Sequence, residues 1–250
     1  MDKTYGIVLT IIAGLFFLLG GLISLKTKDK DKLNRFSVSL AFIIMLNLII
    51  VDLLPEIIES LENYKMISKI GIIILFIILG ILLLKILDFF IPDHHHDHHD
   101  NEKNIEEHNS HRKHIGILTL FSLVLHNVIE GFAIFGLAIN DLKAGLLICL
   151  SVALHNIPLG THIFSSIDIK KNKLLVVILT LSSLFGGLLF LIIGDVSSLI
   201  LSIILCITLG MIIYIAFLEL LPEIINNKSK KETKLGLLIG IIIAILSIFV

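Results

Sequence analysis

His126 and Glu130 stand four residues apart within one long apolar run. At about 100° per residue, a helix puts that imidazole and carboxylate on one face, one turn apart, as a two-ligand clamp. The next apolar run holds His155 and His162, seven residues apart and so again on a common face. Asn127 and Asn156 each place an amide oxygen directly after a histidine. Imidazole with carboxylate suits Zn²⁺, Fe²⁺, Mn²⁺ and related ions, whereas the lack of a thiolate cluster argues against Cu⁺. Cys149 and Cys206 lie singly in apolar stretches, where a thiol behaves as a small hydrophobe.

The elements that position these groups follow from composition. Hydrophobic residues make up 56% of the 250 positions and charged ones 16%, more apolar than a soluble domain at roughly half and a quarter. A bilayer core of ~30 Å takes about 20 apolar residues in a helix. Eight such runs occur, at about 5–25, 36–54, 67–90, 115–139, 144–167, 174–194, 196–221 and 235–250. The expected fold is an all-α integral membrane bundle of eight transmembrane helices forming a single domain. The first run lacks the basic start and small-residue cleavage site of a signal peptide, and is read as a true span. Sixteen of the 20 basic residues fall in the first, third, fifth and seventh loops or, for Lys85, at the adjoining end of the third run, which assigns those loops to the cytoplasm and both termini to the outside. The net charge of −1 offers no bulk attraction to nucleic acid.

His126 and His155 are each the twelfth residue of their runs, about 18 Å in and so at a shared depth near the midplane. An ionisable group there costs at least ~2.5 kcal/mol, so it must face protein, water or an ion. One such histidine is ordinarily polar glue between helices. A His–Glu pair opposite a second midplane histidine is read here as a metal site.

Two motifs recur. Asp52-Leu53-Leu54-Pro55-Glu56-Ile57-Ile58 ends the second run, and Glu219-Leu220-Leu221-Pro222-Glu223-Ile224-Ile225 ends the seventh, which crosses in the opposite sense. His126-Asn127 and His155-Asn156 begin a similar pair on the fourth and fifth runs. Matching segments in opposite orientation are the mark of inverted repeats, which in secondary transporters meet at a midplane site. Pro158 removes the backbone bond to the Leu154 carbonyl, leaving either a carbonyl that faces an ion or a kink satisfied by neighbours.

Together these features resemble the ZIP (Zrt/Irt-like) family of divalent metal transporters, whose fourth and fifth helices carry His-Asn-x-x-Glu-Gly and His-Asn-x-Pro-Glu-Gly patterns. His126, Asn127, Glu130, His155 and Asn156 match those positions one by one. The likeness extends over the whole chain and implies a multi-pass protein of the plasma membrane that carries zinc, or else iron, manganese or cadmium, into the cytoplasm by alternating access. It implies no organic cofactor, no enzymatic activity and compatibility with a homodimer. By the same resemblance Asp52 stands at the outer approach to the site and Met45, seven residues earlier, offers a thioether. The alternatives are an interfacial charge and a core filler.

Departures from the family pattern are specific. Leu159 stands where members carry a glutamate that bridges two metals, and Ser182-Ser183-Leu184-Phe185-Gly186-Gly187 occupies a stretch where they often carry another. The expected site therefore holds a single ion on His126, Glu130 and His155, completed by His162 or Met45. The loop at 92–114 contains eight of the 11 histidines, including His94, His95, His96, His98 and His99, a composition that binds metal weakly and without fixed geometry.

Other classes fit less well. Membrane di-iron hydroxylases need several histidine clusters, but only three histidines fall in the apolar runs. A haem held by His126 and His155 leaves Glu130 without a role. A metal sensor that does not transport differs from a carrier only in flux.

Overall fold

A computed structural model of the protein describes the backbone of residues 3–90, 101–167, 172–194 and 197–247; side chains at 88, 90, 101–118, 140, 144, 151 and 154 fall outside the description. The helices are α1 (Lys3–Lys26), α2 (Lys30–Asn47), α3 (Leu54–Ser60), α4 (Met66–Phe90), α5 (Asn101–Asn140), α6 (Leu142–Ser166), α7 (Lys173–Ile193), α8 (Ser198–Tyr214), α9 (Leu221–Asn226) and α10 (Lys231–Ser247). Two π-helical segments, π1 (Leu48–Leu53) and π2 (Ile215–Leu220), join α2 to α3 and α8 to α9. No strand occurs among the described residues. Seven helical stretches of the described chain are long and apolar enough to cross a membrane, and α10, at 17 residues, is an eighth apolar helix.

Two boundaries differ from the sequence expectation. The second and seventh spans do not stop at their prolines but run on to Ser60 and Asn226. A proline has no N–H and its ring collides with the carbonyl four residues back. The chain absorbs both defects by widening the turn just before each one, so that Leu54 N–H bonds the Ile49 carbonyl and Leu221 N–H the Ala216 carbonyl, five residues back in each case. The recurring Leu-Leu-Pro-Glu segments thus share a local structure as well as a sequence. The second difference is that α5 begins at Asn101, inside the stretch read as a loop. His94, His95, His96, His98 and His99 lie outside the described residues.

Packing sorts the long helices into two groups. In the first, α1 lies against α5, α6 and α7, α5 against α6 and α7; in the second, α2 lies against α10 and α4 against α8, the two pairs joined through π1, α3, π2 and α9, while α2 also meets α6 across the groups. Glycines set the spacing within each group. A Cβ on Gly14, Gly131 or Gly186 would meet a backbone oxygen of the neighbouring helix at 1.9 Å, and one on Gly80 or Gly210 would do so at 2.1 or 2.2 Å. Every close glycine contact among the described residues joins helices of the same group. Without water to drive burial, membrane helices hold together by this kind of near-backbone packing. Exchanging α1, α2, α4 and α5 for α7, α8, α10 and α6 turns the strongest pairings into one another: α1–α6 becomes α5–α7, and α2–α10 becomes α4–α8. Each packed group therefore draws helices from both halves of the chain.

Candidate metal centre

The glycine-closed contact of α5 with α7 and the contact of α5 with α6 bring the two histidine motifs face to face. His126 Nε2 hydrogen-bonds Glu130 Oε1 at 2.8 Å, the one-turn pairing expected from their spacing. His155 Nε2, from α6, lies 2.8 Å from the same carboxylate oxygen but has no hydrogen bond directed to it. The two imidazole rings are 6.1 Å apart, centre to centre. One donor atom from each of His126, Glu130 and His155 lies within 4.8 Å of the other two. Donors around a tetrahedral zinc ion with bonds of ~2.0–2.1 Å stand about 3.3 Å apart, so the 2.8 Å contacts need open by only about half an ångström to admit one.

Glu130 Oε2 and His126 Nδ1 have no protein partner although they are buried, and the same holds for the amide oxygens of the neighbouring residues in sequence, Asn127 and Asn156. Buried polar atoms are nearly always paired, and a cluster of exceptions calls for a ligand such as water or an ion. The amide nitrogens of the two asparagines are engaged elsewhere. Asn127 Nδ2 donates to Ser182 Oγ on α7 at 3.1 Å, and Asn156 Nδ2 donates to the Ala13 carbonyl on α1 at 3.1 Å. Each asparagine thus ties its histidine-bearing helix to a neighbour. Asn127→Ala is expected to cost about 1 kcal/mol, the ordinary worth of an interhelical hydrogen bond, read as a lowered midpoint of thermal unfolding in detergent.

A cavity of about 290 Å³ opens beside the three ligands. Its lining includes His126, Glu130 and His155 from α5 and α6, and Asp52, Glu56 and Glu59 from π1 and α3. Asp52 thus lines the same cavity as the three ligands. Glu56 and Glu59 were not singled out from the sequence, although their positions four and seven residues after Asp52 put all three on one helix face. Met45 and His162 are fully buried but are not among the residues lining this cavity. Leu159 is also fully buried, within the main apolar core. Ser182 and Ser183 pack against α5, the first through Asn127 and the second through the backbone beside Gly131.

No curated protein matches the chain. The family model described as ZIP Zinc transporter matches residues 92–248, more than half of the sequence. A chain of long apolar helices with histidine and glutamate converging at their centre is thus a multi-pass membrane protein, and it belongs to the ZIP zinc transporter family.

Proposed function

We propose that the protein carries a divalent transition-metal ion, zinc first and iron, manganese or cadmium as alternatives, into the cytoplasm across the plasma membrane through a single site on His126, Glu130 and His155. One observation carries this reading: an orphaned carboxylate oxygen and two imidazoles converge beside a cavity that three further acidic side chains also line. Acidic groups along a low-dielectric cleft concentrate cations at its entrance. The ligands then replace part of the ion's water, and two imidazoles with one carboxylate favour zinc-like ions over Ca²⁺ or Mg²⁺, which take all-oxygen ligand sets.

Alternating access fits the division into two packed groups. The ligands sit on α5 and α6 of one group, and the acidic wall sits on the extension of α2 in the other. Relative motion of these bodies, each made of helices from both inverted halves, exposes the site first to one side and then to the other. The basic loops orient the acidic wall outward and both termini outside. A single-ion site is supported by the apolar surroundings of Leu159, and a homodimer is compatible with the exposed apolar faces of the bundle.

The test is flux in proteoliposomes with a panel of divalent ions, comparing wild type with His126→Ala, Glu130→Ala and Leu159→Glu. The first two are expected to abolish uptake. Leu159→Glu is expected to lower the yield of folded protein without adding a second bound ion, because its carboxylate would enter an apolar core unpaired. Undiminished flux in the first two variants would remove the site assignment, and two ions bound between α5 and α6 of the wild type would remove the single-ion reading. Deleting residues 93–111 is expected to leave uptake largely intact while changing its affinity or regulation, measured in the same assay; complete loss of transport in a correctly inserted deletion contradicts it.

A further inference from the structure

Beyond the three ligands, the stripes of α5 and α6 that carry them continue away from the acidic cavity as a row of buried polar groups. On α5, Thr119 and Ser122 precede His126 by seven and four residues, on its face of the helix; on α6, His162 follows His155 by seven. Thr119 and His162 therefore lie at the same depth, each about 10 Å from the site's level. Thr119, Ser122 and His162 are all 0% exposed. Neither hydroxyl oxygen, nor either ring nitrogen of His162, has a hydrogen-bond partner. Four orphaned atoms on one route are hard to account for as packing, since an apolar residue of similar size would avoid the cost of each.

The far end of this route is latched. Ser37 Oγ on α2 lies 3.0 Å from Ser165 Oγ on α6, and Ser166 Oγ donates to Asn34 Oδ1 at 3.4 Å, so that both contacts bridge the two helix groups. Asn34 Nδ2 in turn donates to Glu223 on α9 at 2.6 Å. The acidic cavity and this latch stand on opposite sides of the ligands.

Resting on the transport reading, we propose that Thr119, Ser122 and His162 line the second half of the ion's path, closed in this structure, and that His162 is a way-station ligand which takes the cation after it leaves His126, Glu130 and His155. When the α2–α6 contacts part, water enters the seam and the orphaned atoms acquire partners. His162 is then the imidazole within reach of a partly hydrated ion moving toward Asn34 and Glu223.

The test compares His162→Leu and His162→Cys with wild type and Glu130→Gln, using Zn²⁺ and Cd²⁺ flux into proteoliposomes, equilibrium Zn²⁺ binding and thermal stability in detergent. His162→Leu is expected to bind Zn²⁺ within about threefold of wild type and to be at least as stable, yet to transport at least tenfold more slowly. His162→Cys should restore flux in part and shift preference toward Cd²⁺, the softer ion. A histidine that is only core predicts undiminished flux from the equally stable leucine variant, and that result overturns the proposal. If His162→Leu fails to fold, absence of flux from a folded His162→Cys with any ion, or flux with unchanged ion preference, overturns it equally. Loss of flux in Glu130→Gln with full flux in His162→Leu sinks this inference alone; full flux in Glu130→Gln sinks the site reading and this inference with it.

Discussion

Replacing Glu130 by glutamine is expected to weaken Zn²⁺ binding by roughly 10²–10³-fold and to bring uptake to background. Glutamine keeps the volume and one amide oxygen but removes the negative charge that both imidazoles approach at 2.8 Å. Breaking a buried charged interaction by removing one partner costs about 3–5 kcal/mol, and each 1.4 kcal/mol is a factor of ten in affinity. The loss is of the ion rather than of the fold, because glutamine leaves the volume and one oxygen acceptor in place. Calorimetric titration of purified protein with Zn²⁺ reads the affinity, and the elution profile in detergent reports folding. Affinity within a factor of ten of wild type in a folded Glu130→Gln variant would mean that the carboxylate serves only to hold the histidines.

Gly131→Ala is expected to be the most damaging of the single-methyl additions to the bundle. Its Cβ would lie 1.9 Å from the Ser183 backbone oxygen and 2.5 Å from the carbonyl carbon, and backbone cannot rotate out of the way as a side chain can. Helices α5 and α7 must then separate, which strains the reciprocal contact of Gly186 with the Val128 carbonyl and the Asn127–Ser182 hydrogen bond. Overpacking costs about 1–3 kcal/mol, and more where nothing yields. Because Glu130 is the adjacent residue, metal binding should weaken along with stability. Gly71→Ala is the control: nothing lies within 4 Å of its new methyl, and alanine is the better helix former by up to ~1 kcal/mol. Thermal unfolding in detergent should separate the two variants clearly; equal midpoints would refute the claim that α5 and α7 are held at backbone contact.

Both expectations depend on where helices meet, and that is the part of the molecule that a linear reading reaches least well. The pairing of His126 with Glu130 was legible, since a four-residue interval on a helix leaves no other geometry. The shared depth of His126 and His155 was legible too, because the bilayer measures length along each apolar run. Helical class and most of the spans came from the same physics. The fate of Pro55 and Pro222 did not: a proline in an apolar run can end a helix or be absorbed, and here the i→i−5 bonds before each one keep the helix going. Glu56 and Glu59 were consequently read as lying beyond a span, when they extend the cavity wall that Asp52 begins.

His162 shows the limit most plainly. Its interval from His155 placed it on the same face and two turns, about 10 Å, along the helix, but did not say what it meets there. Only the packing of α6 against its neighbours buries it fully and leaves both of its ring nitrogens without a partner. Likewise Asn127 and Asn156 carry donor groups that a sequence can only list, whereas Ser182 and the Ala13 carbonyl take up their N–H groups and leave the oxygens open.

What the residues decided alone is therefore whatever depends on distance along one helix: the spans, the depth of the polar groups, and the faces on which they lie. What tertiary structure decided is whatever depends on the spacing and rotation of one helix against another, set by glycines that let backbones touch. Periodicity is a property of a single chain segment in an apolar solvent, but which faces meet is a property of the pair.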